Sequence, residues 1–224
     1  TALTSRYGGS VTANWQHALH QADGLAVDHV DALRALVQDA KQVHARAPFT
    51  LLRATLENAA AAVWLLAPND RAERLLRRLR LQWADALDQV NVQNLRNMTA
   101  LLTKDEWKAE LRQAAVDAGL NPAQVIQVTA GKITYRSIVE TAGEALAKLT
   151  GKDALLCWMI SSGIAHAQSW AVLSVLKRVE TPGASPDVVT VEFSAPEMEL
   201  VLVSQVTMLM LIEAWRLFDQ RRMA

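Results

Sequence analysis

The sequence predicts an all-α protein, an up-and-down bundle of about seven helices. Three observations carry this. Apolar residues fill 51% of the 224 positions and charged residues 21%, enough to build a core and too little charge for disorder. Ala and Leu dominate, and apolar residues recur at three- and four-residue spacing along most of the chain. Proline and most glycine fall between these periodic runs. The length suits a single domain, 1–224. It divides into an N-terminal helix or extension (1–24), a bundle core (25–178), a loop or short hairpin arm (179–195) and a C-terminal helix (196–222).

The elements follow in order. A first helix is predicted from about Val11 to Gln21, and a second from Val27 to Ala45, with Val30, Leu33, Val37 and Ala40 at helical spacing. Pro48 sits where the first turn of a third helix tolerates it, and that helix ends before Pro68. Asn69 or Asp70 caps a long fourth helix reaching about Leu102, with Leu75, Leu79, Trp83, Ala86 or Leu87, and Val90 as its apolar stripe. Thr103 and Glu106 form a capping box for a fifth helix that Gly119 closes. Asn121-Pro122 opens a short helix, and another runs from Tyr135 to Leu149 with Gly151 as its stop. One apolar helix then spans about 152–177. A Pro- and Gly-bearing break at 180–186 precedes a β-branched stretch, 187–193, read as an extended arm or edge hairpin. Pro196 leads into the last helix, which ends at the cations Arg221 and Arg222.

Charge and cysteine narrow the function classes. The formal net charge is zero, so bulk electrostatics gives no drive toward nucleic acid or an acidic membrane. A single cysteine, Cys157, excludes an intrachain disulfide framework and fits a reducing, cytoplasmic setting as a small core hydrophobe. The opening Thr1–Ser10 is short and polar, unlike a signal peptide. The apolar stretches 154–176 and 200–212 carry Ser, Gln and His or are short, so they read as bundle helices and no membrane span is expected.

The chemistry candidates are few. His166 lies in the apolar 152–177 helix, where a polar ring is expected to be buried and to need a partner. Ser162, one turn earlier, and Trp170 share its face. On the third helix Arg53, Glu57 and Trp64 also share a face, with Arg53 and Glu57 an i,i+4 pair among leucines and alanines. The same groups could serve only as a structural pair and a satisfied core histidine. A Ser–His hydrolase is unsupported, since no Gly-x-Ser-x-Gly elbow occurs. No Glu-x-x-His, zinc spacing or phosphate loop occurs, so no metal or cofactor is expected; His17, His20 and Asp23 are the sole weak metal grouping. Arg71, Arg74, Arg77, Arg78 and Arg80 form a basic cluster in which Asp70 and Glu73 supply i,i+4 partners. Leu111 to Val125 has helix-turn-helix spacing but lacks base-reading side chains.

Two stretches carry a family resemblance: Leu52-Arg53-Ala54-Thr55-Leu56-Glu57-Asn58-Ala59, and Ser162-Gly163-Ile164-Ala165-His166. Over roughly 25–178 the chain resembles the HEPN superfamily of all-helical domains, in particular uncharacterised bacterial HEPN-like proteins with an Arg-x-x-x-Glu helix and a later Ser-x-x-x-His helix. Active HEPN ribonucleases are metal-independent dimers that use an Arg-x(4–6)-His motif on the RNA 2′-hydroxyl and scissile phosphate. His166 matches that histidine, whereas Ser161, Ser162 and Ala165 stand in the stretch that would hold the arginine. The resemblance implies a homodimeric, RNA- or nucleotide-associated domain of a defence or stress (toxin–antitoxin type) module, with a cognate protein partner, and many such domains are non-catalytic. If this one cleaves RNA, His166 is the acid/base, Arg53 the phosphate-binding cation and Glu57 the orienting carboxylate. The alternatives are a small-molecule site built from Arg53, Glu57, Ser162 and His166, or a scaffold in which the cluster fixes helix register.

Overall fold

The computed structural model describes residues 24, 26–98, 102–182 and 189–223. The predicted 11–21 helix and the His17, His20, Asp23 grouping lie outside these. Among the described residues the chain is helical apart from one two-stranded hairpin. In chain order the helices are α1 (26–34), α2 (Ala47–Leu66), α3 (Arg71–Leu95), α4 (Lys104–Asp117), α5 (Pro122–Val128), α6 (Tyr135–Gly143), α7 (Gly151–Ala165), α8 (Ser169–Val175) and α9 (Glu197–Arg222). The all-α expectation holds.

Local chemistry sets most of the helix starts. Asp70 accepts from the Ala72 N–H at 3.0 Å and opens α3. Thr103 and Glu106 cap α4 reciprocally, as Asn121 and Gln124 cap α5. Thr150 and Asp153 form a third box at α7, so Gly151 begins that helix; it does not close the preceding one. That preceding helix, α6, ends at Gly143, six residues before the predicted Leu149, and α1 gives way to a π-helical turn, Ala35–Asp39, before the predicted Ala45.

Packing divides into two clusters. The larger joins α2, α6, α7, α8 and α9, with Phe49, Leu56, Val63, Ile138, Ile164 and Met210 fully buried. The central helix is α2, which packs on α9, α6 and α7. The smaller joins α3, α4 and α5 around Leu79, Trp83, Leu111 and Val128. Helix α3 links them: Leu75, Leu87 and Val90 pack on the smaller cluster and Leu81 on the larger. Cys157 is buried in the larger core, and burial pushes its thiol up to about 11.

Three arginines turn out to be structural. The C-terminal carbonyls of α2 have no intrahelical partners. Arg77 donates to the Trp64 carbonyl at 2.7 Å, and Arg74 and Arg221 donate to the Pro68 carbonyl at 2.8 and 3.0 Å. Arg77 also pairs with Glu73, as its spacing predicts, whereas Arg74 turns to backbone and leaves Asp70 to its cap. Arg222 pairs with Asp219 at the end of α9.

The predicted arm is a hairpin. Strand β1 (Lys177–Pro182) pairs antiparallel with β2 (Val189–Ser194) in a register that sets Arg178 opposite Phe193 and Glu180 opposite Val191. Among its described residues, Phe193 packs back on the larger core. Helix α9 is long and apolar enough to cross a membrane by length and composition. Its Val203, Val206, Met210, Leu211, Ala214 and Leu217 are instead buried in the larger core.

Candidate functional site

The predicted 152–177 helix is broken at its candidate histidine. Helix α7 stops at Ala165, His166 is its C-cap, and α8 restarts at Ser169. The Ala167 N–H bonds to the Ile164 carbonyl at 3.1 Å and the Gln168 N–H to the Gly163 carbonyl at 2.8 Å. These two bonds define a Schellman motif, with Ala167 in the left-handed region at φ 52°. The break carries His166 to the surface, so the expectation that its ring is buried is wrong. A residue with a Cβ costs about 1–2 kcal/mol in that conformation. Ala167→Gly is therefore expected to stabilise the fold, by about 0.5–1 kcal/mol after the added unfolded-chain entropy of glycine. An unchanged thermal midpoint would contradict this.

The packing of α7 on α2 brings His166 to Arg53, as the site reading requires. Arg53 Nη1 lies 3.0 Å from His166 Nε2. Arg53 Nε donates to Glu57 Oε1 at 2.9 Å, and the Trp158 Nε1–H donates to the same oxygen at 2.8 Å. The Arg53 and Glu57 side chains are 24% and 16% exposed, so both sit in the wall of the fold beside an exposed imidazole. A guanidinium only donates. Nε2 therefore accepts, which places the ring proton on Nδ1 and requires a neutral ring for the contact. A protonated imidazole could not accept this bond.

Two further side chains belong to the neighbourhood. Trp158, on α7, is one, joined to Glu57 through its indole N–H. Tyr135, at the start of α6, is the other: partial burial pushes its phenol up, Glu57 and Asp85 reinforce this, and Arg53 opposes it. The charges of Glu57 and Arg53 therefore act on the Tyr135 phenol. A tyrosine at a helix start gives no such signal in sequence.

The remaining predicted members stand apart. The Ser162 carbonyl accepts from the His166 N–H at 3.0 Å. Trp170 is exposed, donates its indole N–H to Gln168 and lays its ring against Gly163. Trp64 is buried beneath the Arg77 guanidinium, 5.0 Å from its ring centroid, and packs in the core. It lies eleven residues from Arg53 on a straight helix, about 16 Å along the axis. An open groove of about 690 Å³ between α1 and α2 is lined by Ala32, Leu36, Thr50 and Leu51, and none of the cluster side chains faces it.

Chemically, the arrangement offers a fixed cation beside an exposed imidazole. Glu57 and His166 engage Nε and Nη1 of Arg53. Among the described residues Nη2 has no partner, so it can meet an anionic oxygen, and the ring Nδ1–H can donate to a bound oxygen. No family model, curated protein or solved structure matches this chain.

Proposed function

We propose that the Arg53–Glu57–His166 cluster engages the phosphodiester backbone of single-stranded RNA, in an HEPN-like domain of a defence or stress module. The 3.0 Å contact between the Arg53 guanidinium and the His166 imidazole at the surface carries this reading. Arg53 holds a phosphate oxygen and Glu57 fixes the guanidinium plane; in members that cleave, the phosphate draws the Arg53 donor off the imidazole, and the freed Nε2 lone pair takes the 2′-hydroxyl proton. The open groove between α1 and α2 is not lined by the cluster and adds nothing to a small-molecule reading. The test uses a labelled single-stranded RNA of mixed sequence with the wild-type chain, His166→Ala and Arg53→Ala. Cleavage, if present, is expected to fall about 10²-fold or more in His166→Ala while the fold persists. Arg53→Ala is expected to weaken binding and flatten its salt dependence by about 0.7 in log–log slope, the value for one phosphate contact on a single strand. Binding without cleavage in the wild type identifies a non-catalytic member. RNA affinity equal in all three proteins overturns the proposal.

A further inference from the structure

Helix α9 is apolar on two faces, and the fold covers only one. Its buried side holds Val203, Val206, Met210, Leu211 and Leu217 against the larger core. The opposite side exposes Met198, Val201, Met208, Ile212 and Trp215, with Gln205 at its centre. These positions follow one another at spacings of three, four, three, four and three. That 3.5-residue period is the repeat of a helix that pairs with another helix along its length. Leu202 and Leu209 widen the stripe. A helix apolar all round is ordinarily covered all round.

We infer that this stripe is the docking surface for the same helix of a second copy of the chain, running antiparallel. Three observations choose that occupant. The first turn of α9 is acidic, with Glu199 and with Glu197 beside Lys177, and the last is basic, with Arg221 turned to the Pro68 carbonyl and Arg222 beside Asp219, so the end charges add only modestly to the helix dipole. An antiparallel copy sets acidic end against basic end and opposes the helix dipoles, whereas a parallel copy sets like against like. The stripe centres between Gln205 and Met208, so a two-fold axis there superimposes it on itself. Its exposed apolar surface is on the order of 600 Å² per chain, near the about 800 Å² per partner of a standard interface. A bilayer is the poorer occupant: α9 cannot enter one without emptying the core it shares with α2.

Two measurements test this. Light scattering on the wild-type chain at micromolar concentration is expected to give twice the 24.6 kDa chain mass. Ile212→Glu, and independently Met198→Glu at the exposed start of the stripe, should halve it with helical circular dichroism unchanged. Having both variants keeps the test decisive if one fails to fold. Spin labels on Met198→Cys then report orientation. Antiparallel pairing sets the two labelled sites about 25 Å apart along the axis, at 1.5 Å per residue. Parallel pairing sets them within about 10 Å. Cys157 does not compete for label, being buried. A monomeric wild type, a dimer indifferent to both charges, or a short label distance each overturns the inference, as does a monomer that binds lipid vesicles through this stripe.

Discussion

Gly163→Ala is expected to destabilise the fold by about 1–3 kcal/mol, although alanine is the better helix former. Two effects oppose each other. Replacing a mid-helix glycine with alanine ordinarily gains about 0.5–1 kcal/mol. Here the new Cβ would stand 2.6 Å from the Ala171 Cβ and 2.7 Å from Trp170 Cζ2. Both distances are below any that carbon atoms hold without displacement. Ala171 is fully buried and part of α8, so it cannot yield without moving that helix. Overpacking therefore wins. The corner joining α7 to α8 opens, and His166 within it leaves Arg53, so RNA affinity should fall together with stability. Adding Ala171→Gly removes one of the two clashes and should restore part of the loss. Urea unfolding of the single and double variants measures this as a coupling of about 0.5–3 kcal/mol. Strictly additive losses would show that the two helices do not meet as described.

The same corner explains which helix ends the sequence reveals. Helices α3, α4 and α7 all end in the paired Schellman bonds, with the residue after the C-cap left-handed. At α4 that residue is Gly119, φ 80°, and the end is read from sequence because glycine favours the conformation. At α3 it is Asn97, φ 51°, a tolerated residue but a weaker signal, and the predicted helix overruns to Leu102. At α7 it is Ala167, which no local rule marks as a terminator, and the predicted helix runs straight through. The α7 end is imposed by tertiary packing: the close approach at Gly163 lets α8 fold back, and Ala167 bears the strain. Starts were easier to read, because Asp70, Thr103 and Asn121 satisfy orphan N–H groups through their own side chains.

The site was half legible for a related reason. Arg53 and Glu57 are four residues apart on one helix, so their pairing follows from the helical repeat alone. The contact to His166 spans 113 residues and depends on where α7 crosses α2. Composition predicted that a histidine among apolar residues would be buried. The turn that exposes it has no sequence marker. The apolar neighbours of Trp158 point only to the core, and its ring does pack there. Its indole N–H, a donor that needs an acceptor when partly buried, was the available clue. The basic cluster shows the converse: Arg74 and Arg77 look like a nucleic-acid patch or a self-paired face, yet Arg77 bonds a carbonyl in the last turn of α2 and Arg74 the Pro68 and Asn69 carbonyls of the loop that follows.

Glu57→Ala is expected to cost about 1–3 kcal/mol, since one carboxylate oxygen satisfies two partly buried donors. Removing it strands the Arg53 guanidinium and the Trp158 N–H together. Glu57→Gln separates the contributions. Its amide oxygen still accepts from Trp158 or Arg53 but carries no charge, and neutral bonds contribute about 0.5–1.5 kcal/mol against about 1.5–3 for charged ones. The Gln variant should therefore fall between wild type and Ala. Trp158→Phe keeps the ring and deletes only the N–H, at about 1 kcal/mol. Combined with Glu57→Gln it should show coupling, because both changes act on one oxygen. The functional reading makes a second demand on the same variants. With Glu57 gone, the guanidinium is tethered only by an exposed imidazole. RNA binding by Glu57→Ala should then weaken toward that of Arg53→Ala, even at a temperature where the variant is fully folded. If Glu57→Ala changes stability by less than about 0.5 kcal/mol, the pair behaves as a solvated surface ion pair. The organised site would then be gone, and with it the physical basis for a fixed phosphate-binding cation.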